Sequence, residues 1–402
     1  MIVYIILFSI FFIMLWLGCV ESARNRKNRS KLIIRINING IRGKSTATRL
    51  ITSILHEAGY NTIGKTTGTA ARFIIPAKNR EEEIKRRPEG PNIKEQIRTI
   101  RLAVDYGAEA LVCECMAVKP EYQDVYQNKM LCANITVIVN VLEDHLDAMG
   151  PTTDEIARAF ASTIPYNGYL IVTENQYTDY FRKIAKQRNT QIFVSDNSKI
   201  PENYVEQFDY VLFPDNVAIG LAVAKVFGIS RNVALKGMLK ALPDPGALRI
   251  VPLDKNIWSS SVFVNGFAAN EPESSLKILE MVNGISGLPD GGTIVLFNGR
   301  PDRVDRTQQF VKDFFPKLEN VTLIGMGQCI KSIETAMRKK KFPGVNEYIH
   351  MEDASPEEVE RKLKIFAKNS IIFGVGNIHG DSEELINSIL SNKTEELIAS
   401  IA

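Results

Sequence analysis

The sequence predicts an α/β protein made of two domains on parallel sheets, preceded by a single apolar helix. Three observations carry that reading. Met1 to Val20 contain no charged residue and are dominated by Ile, Leu, Phe, Val and Trp. Beyond a basic stretch, β-branched runs alternate with amphipathic segments, the pattern of parallel strands joined by covering helices. Leu242-Pro243-Asp244-Pro245-Gly246 then interrupts the series with residues that stop both helix and strand, and a second alternating series follows. A chain of 402 residues is long for one core. The predicted division is an apolar anchor at 1–21, a basic linker at 22–31, a first domain at 32–245 and a second at 246–402.

At about 1.5 Å per helical residue, the apolar run reaches roughly 30 Å, the thickness of a bilayer's hydrocarbon core. Arg24, Arg26, Lys27, Arg29 and Lys31 follow at once. Basic residues beside a span stay in the cytoplasm, so a single-pass cell-membrane protein with cytoplasmic domains is expected. A cleavable signal peptide needs a positive segment before the apolar run, and Met1-Ile2-Val3 has none. A lipoprotein signal ending at Cys19 lacks the same basic start. The basic cluster reads as a solvated linker that can also meet anionic lipid. A net charge of +3 makes no global case for nucleic acid. The five cysteines form no CxxC pair and read as reduced, mostly small core residues.

Leu32 to Ile38 predicts a strand, with Ile34, Ile36 and Ile38 alternating against Arg35 and Asn37. Ala47, Leu50, Ile51, Ile54, Leu55 and Ala58 recur at helical spacing, and Gly59 stands where a C-cap belongs. Ile93, Ile97, Ile100 and Val104 mark another helix. Strands are predicted at Ala110–Cys115 and Ile135–Val141, and Thr152-x-x-Glu155 opens a helix through Ser162 with a capping box. Further strands are predicted at Tyr169–Thr173, Gln191–Val194 and Tyr210–Phe213. The second series places strands near Val262–Asn265, Thr293–Phe297, Val321–Ile324 and Ile371–Phe373.

The strongest motif is Asn39-Gly40-Ile41-Arg42-Gly43-Lys44-Ser45-Thr46, set between a strand and an amphipathic helix. Glycines let a backbone turn tightly and aim N–H groups at phosphate oxygens, and the helix dipole favours the anion. Lys44 is placed to reach the outer phosphates of a nucleotide and Ser45 to ligate magnesium. Ile38 stands where the longer form of the motif has its first glycine, leaving the short form G-x-x-G-K-S.

Two further strands end in candidate metal chemistry, Cys113-Glu114-Cys115-Met116 and Asn140-Val141-Leu142-Glu143-Asp144-His145-Leu146-Asp147. Ligands gather at the carboxyl ends of parallel strands, so both segments should face the phosphate loop. Magnesium takes oxygen ligands, which suits Glu114; His145 is a candidate for a second cation or its water. Histidine and cysteine are not clustered at zinc spacing.

These motifs, in this order, resemble the Mur ligase superfamily, and most nearly its poly-γ-glutamate synthetase branch. The resemblance spans essentially the whole chain. It also rests on Gly64-Lys65-Thr66-Thr67-Gly68-Thr69, Asn265-Gly266-Phe267-Ala268-Ala269-Asn270, Arg303-Val304-Asp305-Arg306-Thr307-Gln308-Gln309 and Gly374-Val375-Gly376-Asn377-Ile378-His379-Gly380. It implies a central P-loop ATPase domain and a Rossmann-like carboxy-terminal domain. One departure stands out: no lysine occurs between His145 and Lys183, where several Mur ligases carry a carbamylated lysine.

The resemblance implies ATP and Mg2+ as cofactors, glutamate and a growing poly-γ-glutamate as substrates, and small membrane subunits of a synthesis and export complex as partners. It implies phosphorylation of a carboxylate followed by attack of an amine. Lys44, Glu114 and His145 are then the candidate catalytic groups, with Ser45, Glu114 and His145 as metal ligands. Nucleotide contacts are expected from Asn39, Gly40, Arg42, Gly43, Lys44, Ser45, Thr46, Arg249 and Asn265, and substrate contacts from Lys65. Arg300, Arg303 and Arg306 lie in a charged segment after a strand, and arginine forks match carboxylates. Two other functions compete: a folylpolyglutamate-type ligase on a soluble acceptor, and a membrane-bound ATPase scaffold coupled to polymer export.

Overall fold

The computed structural model describes residues 2–67, 71–84, 92–143, 146–208, 210, 212–244, 249–267, 271–285, 288–377 and 381–391. The chain forms two compact units. The first is Met1–Val205 with Phe213–Pro245, and the second is Glu206–Leu212 with Gly246–Ala402.

The first unit begins with helix α1 (Ile2–Arg29). The basic stretch expected as a linker is therefore helical, and Arg26, Lys27 and Arg29 in its last turn suit the negative end of the helix dipole. Eight strands follow: β1 (Ile34–Asn39), β2 (Thr62–Lys65), β3 (Arg72–Ile75), β4 (Arg80–Glu83), β5 (Ala110–Glu114), β6 (Ile135–Ile138), β7 (Tyr169–Val172) and β8 (Gln191–Val194). Their order in one sheet is β4-β3-β2-β5-β1-β6-β7-β8. The run from β2 to β8 is parallel, and β3 and β4 extend it as antiparallel hairpins.

Strand β1 lies at the centre with both faces covered. Ile34, Ile36 and Ile38 pack with Ala47, Ile51 and Leu55 of helix α2 (Lys44–Glu57). The alternate positions carry amides: Asn37 Nδ2 donates to Gln127 at 3.1 Å and Asn39 Nδ2 to Gln123 at 2.9 Å. Helix Arg231–Leu239 approaches α2 closely because Gly237 has no side chain; a Cβ there would lie 2.9 Å from the Ser53 carbonyl oxygen. On the other face lies helix α3 (Glu95–Asp105). The capping box at Thr152 forms as expected, with Glu155 accepting from the Thr152 N–H at 3.0 Å. The strand expected at Tyr210–Phe213 is not present among the described residues. Tyr210 and Leu212 are buried anchors instead, and Pro214 starts a helix that runs to Val226.

The second unit holds β9 (Ile250–Pro252), β10 (Val262–Asn265), β11 (Thr293–Gly299), β12 (Val321–Gly327), β13 (Val345–Glu352) and β14 (Ile371–Gly376). The order is β13-β12-β11-β14-β10-β9, parallel except for β9. Helices Pro272–Asn283, Val304–Asp313 and Lys331–Arg338 cover one face around Phe297, Phe310 and Phe315. Helices Pro356–Phe366 and Asp381–Ser391 cover the other with Trp258. The chain leaving β11 thus goes to one face and that leaving β14 to the other. This reversal opens a crevice at adjacent carboxyl ends.

Candidate active site

The phosphate loop emerges from the carboxyl end of β1, flanked by β5 and β6. Gly40 (φ 126°) and Gly43 (φ 82°) take left-handed conformations that L side chains resist. A Cβ on Gly43 would also meet Asn216 Oδ1 at 2.9 Å. Asn140 braces the turn from the end of the neighbouring strand. Its Oδ1 accepts from the Ile41 and Arg42 N–H groups at 3.0 and 3.1 Å, and its Nδ2 donates to the Arg42 carbonyl at 2.9 Å. Asn39 lies beneath the loop, 2% exposed, with its Oδ1 accepting from the Gly40 N–H at 2.8 Å. Asn39, expected to contact nucleotide, thus holds the first N–H of the loop.

Lys44 and Ser45 open α2 with Thr46, where first-turn N–H groups lack partners within the helix. Lys44 Nζ curls over the loop, donating to the Gly40 and Ile41 carbonyls at 2.8 and 2.9 Å. Ser45 Oγ donates to Glu114 Oε2 at 2.9 Å, and the Thr67 N–H donates to the same oxygen at 2.8 Å. Glu114 ends β5 and is 4% exposed. Three segments thus converge on one shielded carboxylate: the start of α2, the end of β5 and the chain after β2. Burial pushes the flanking Cys115 thiol up to about 12 and raises Cys113 as well. Both thiols therefore stay uncharged.

Asn216 was not singled out from the sequence. It sits in helix Pro214–Val226 at 4% exposure, beside Gly43, and its Oδ1 has no hydrogen-bond partner among the described residues. An asparagine on the buried side of the run Val217-Ala218-Ile219 was the only signal available.

Other expected residues fall elsewhere. His145 and Asp144 lie outside the described residues, as does His379. Among the described residues no group of three or more His, Cys, Asp or Glu could hold a metal. Lys65, expected to contact substrate, is fully buried, 2.8 Å from Glu95, because β2 pairs with β5 inside the sheet. In the second unit Arg249 is exposed just before β9, and Asn265 ends β10 with a buried Oδ1 that has no partner among the described residues. Arg300 forms a two-point pair with Asp302 at 2.9 Å in each bond. Arg303 is exposed, and Arg306 donates to Asn377 Oδ1. Asn298 and Asn377 bridge the crevice between β11 and β14: Asn298 Nδ2 donates to the Asn377 carbonyl at 2.7 Å and Asn377 Nδ2 to the Asn298 carbonyl at 3.0 Å.

Residues 38–238, which contain this loop, match the Mur ligase middle domain. The chain belongs to the Mur ligase family. As a Mur ligase it is an ATP-dependent amide ligase. Residues 250–392 match the poly-gamma-glutamate synthase CapB C-terminal domain. The chain is 50% identical over 376 residues to the capsule biosynthesis protein CapB of Bacillus anthracis, covering 94% of this chain and 80% of that one. It is 50% identical over 388 residues to the PGA synthase CapB of Bacillus subtilis (strain 168), covering 96% and 98%. Among solved structures it is similar to MurF from Acinetobacter baumannii, with TM-score 0.63, 16% identity, and 94% and 80% coverage. It is also similar to the bifunctional folylpolyglutamate synthase/dihydrofolate synthase from Yersinia pestis complexed with AMPPNP and Mn ion, with TM-score 0.66, 11% identity, and 91% and 92% coverage. The expected Mur-ligase fold thus holds for both units of this Mur ligase.

Proposed function

We propose that this Mur ligase extends poly-γ-glutamate, joining glutamate through its γ-carboxylate by way of an acyl phosphate. The observation that supports it best is the buried Glu114 carboxylate held against Ser45 at the mouth of a glycine-strained phosphate loop. The names of the Bacillus relatives supply the glutamate polymer. A carboxylate is a poor electrophile, so its oxygen attacks the γ-phosphorus of ATP. An O–P bond forms, the bridging P–O bond breaks and ADP leaves. The acceptor amine then attacks the acyl carbon, a C–N bond forms, inorganic phosphate departs and the nitrogen loses a proton.

The residues present fit magnesium and a triphosphate. Glu114 Oε2 and Ser45 Oγ form an oxygen donor set, and a side chain at Gly43 would fill the cradle. Bound magnesium neutralises phosphate charge. The chain's own contributions are positioning and charge. Lys44, now on loop carbonyls, is within reach of the loop's mouth, Asn140 holds the loop's shape, and Asn216 offers an amide beside Gly43. His145 keeps the metal- or water-holding role implied by the family. Arg303 in the second unit is our candidate for glutamate carboxylates, with Arg306 and Arg300 beside it in sequence. Helix α1, apolar and exposed over its first two-thirds, is read as a single membrane span with both units in the cytoplasm. Small membrane subunits that pass the product outward complete the proposal.

Membranes carrying Lys44→Ala should lose ATP turnover and γ-linked glutamate polymer together while the folded protein persists by thermal denaturation. Polymer at the unsubstituted level from Lys44→Ala would refute the mechanism; ATP hydrolysis without polymer in the unsubstituted protein would favour the export-scaffold alternative.

A further inference from the structure

We propose that the amino-terminal edge of the first sheet rests on the surface of an anionic bilayer as a second membrane contact, alongside α1. This rests on reading α1 as the membrane span. The apolar run ends at Val20, and the helix continues unbroken to Arg29. Asn25 is already packed against the folded unit, 4% exposed, its Nδ2 donating to the Met130 carbonyl at 3.0 Å. Arg29 adds bonds to the Lys129 and Met130 carbonyls at 2.8 and 3.2 Å. Asn25 lies five helical steps beyond Val20, a rise of about 8 Å at 1.5 Å per residue. A headgroup layer is roughly 5–8 Å deep. The folded unit therefore begins at headgroup depth, with no flexible tether between it and the hydrocarbon.

The edge where α1 docks carries the side chains such a position calls for. Ile33, at the bend into β1, is 69% exposed; Tyr166 and Tyr169, at the start of β7, are 63% and 37% exposed. They form one row. Asn134 Nδ2 donates to the Ile33 carbonyl at 2.8 Å, and the Asn134 carbonyl accepts from the Tyr169 N–H at 3.0 Å. The Arg188 guanidinium lies over the Tyr166 ring at 4.9 Å, and Lys31 and Lys129 are exposed beside α1. Tyrosines concentrate at membrane–water interfaces, and basic side chains near the cytoplasmic leaflet are each worth about 1 kcal/mol toward anionic lipid. The exposed acids near this edge are offset in part: Glu109 accepts from the Asn61 N–H at 3.2 Å, Asp105 pairs with Arg101 at 3.6 Å, and Glu21 on α1 is followed by Arg24 and Arg26. The phosphate loop lies at the opposite, carboxyl end of the same strands. The bilayer thus holds the chemically inert edge and leaves the catalytic edge to the cytoplasm.

The test uses the full chain in nanodiscs containing phosphatidylglycerol. The photoreactive residue p-benzoylphenylalanine replaces Ile33, Tyr166, Phe8 of the span, or Glu174 at the carboxyl end of β7. Lipid adducts are expected at 8, 33 and 166 and not at 174. Adducts at 8 without adducts at 33 and 166, or equal labelling at 174, would overturn the proposal. So would protein adducts at 33 or 166, which would assign the edge to a subunit or a second copy. Absence of lipid at position 8 would refute the span itself, and this inference with it, leaving the ligase reading intact.

Discussion

Replacing Glu114 by Gln separates a metal ligand from a structural carboxylate, because the two roles predict opposite effects on the same protein. Glu114 is 4% exposed and accepts two hydrogen bonds at one oxygen, from Ser45 Oγ at 2.9 Å and the Thr67 N–H at 2.8 Å. A shielded carboxylate costs several kcal/mol in desolvation, and two bonds to a charged acceptor return about 1.5–3 kcal/mol each. The two nearly cancel. Glutamine keeps an oxygen for those donors and removes the desolvation cost, so without ligand Glu114→Gln should melt at or above the unsubstituted temperature. With magnesium and ATP the sign reverses. Losing one charge-assisted ligand at about 1.5–3 kcal/mol weakens the site roughly tenfold to a hundredfold. The stabilisation of about 2.7 kcal/mol that a ligand at a hundred times its Kd confers should then fall to about 0.4–1.4 kcal/mol. Calorimetry with and without magnesium–ATP reads both quantities, and a magnesium titration of ADP release gives the affinity. A variant that unfolds earlier without ligand, yet keeps the unsubstituted magnesium dependence, would show that Glu114 is held for the fold and that the metal assignment is wrong.

Two more predictions come from side chains that shape the same unit. Asn140→Ala removes the three bonds that brace the loop; at about 1 kcal/mol each, nucleotide affinity measured by titration calorimetry should fall by one to two orders of magnitude while the sheet still folds. Arg49, 2% exposed on α2, pairs with Glu81 at 2.7 Å and Asp244 at 3.4 Å and donates to the Leu242 carbonyl at 3.1 Å. Arg49→Met leaves those groups without it, and with both carboxylates partly solvated the cost should sit near the lower end of the buried-pair range, about 3 kcal/mol in urea denaturation.

How much of this could be read beforehand depended on whether a feature announces itself locally. The strand–loop–helix around Lys44 did, because a period of two in Ile34, Ile36 and Ile38 gives way to helical spacing across two glycines. Strand β13 did not: Asn346, Glu347, His350 and Glu352 give an edge strand no apolar alternation, and only pairing with β12 identifies it. Residues 22–31 looked like a linker because charge ends the hydropathy signal, yet basic residues are good helix formers and suit a helix carboxyl end. At Tyr210–Phe213 the error ran the other way, since a short apolar run is equally consistent with a buried anchor.

The site shows the same division more sharply. Residues whose placement follows from backbone geometry or from contact with a sequence neighbour, such as Gly43 and Lys44, could be located from order alone. Glu114 could be placed because strand ends in a parallel sheet converge. Lys65 is a charged residue in a glycine–threonine motif, and the motif alone gives no sign of its burial. Its strand lies between β3 and β5, and its ammonium enters the core to meet Glu95. Asn216 is the converse, an amide in an apolar helix that touches the loop only because helix Pro214–Val226 packs on α2. Both depend on distances between segments that no single stretch of chain encodes. The residues that surround this loop through tertiary packing are therefore the ones that a motif reading is least able to find.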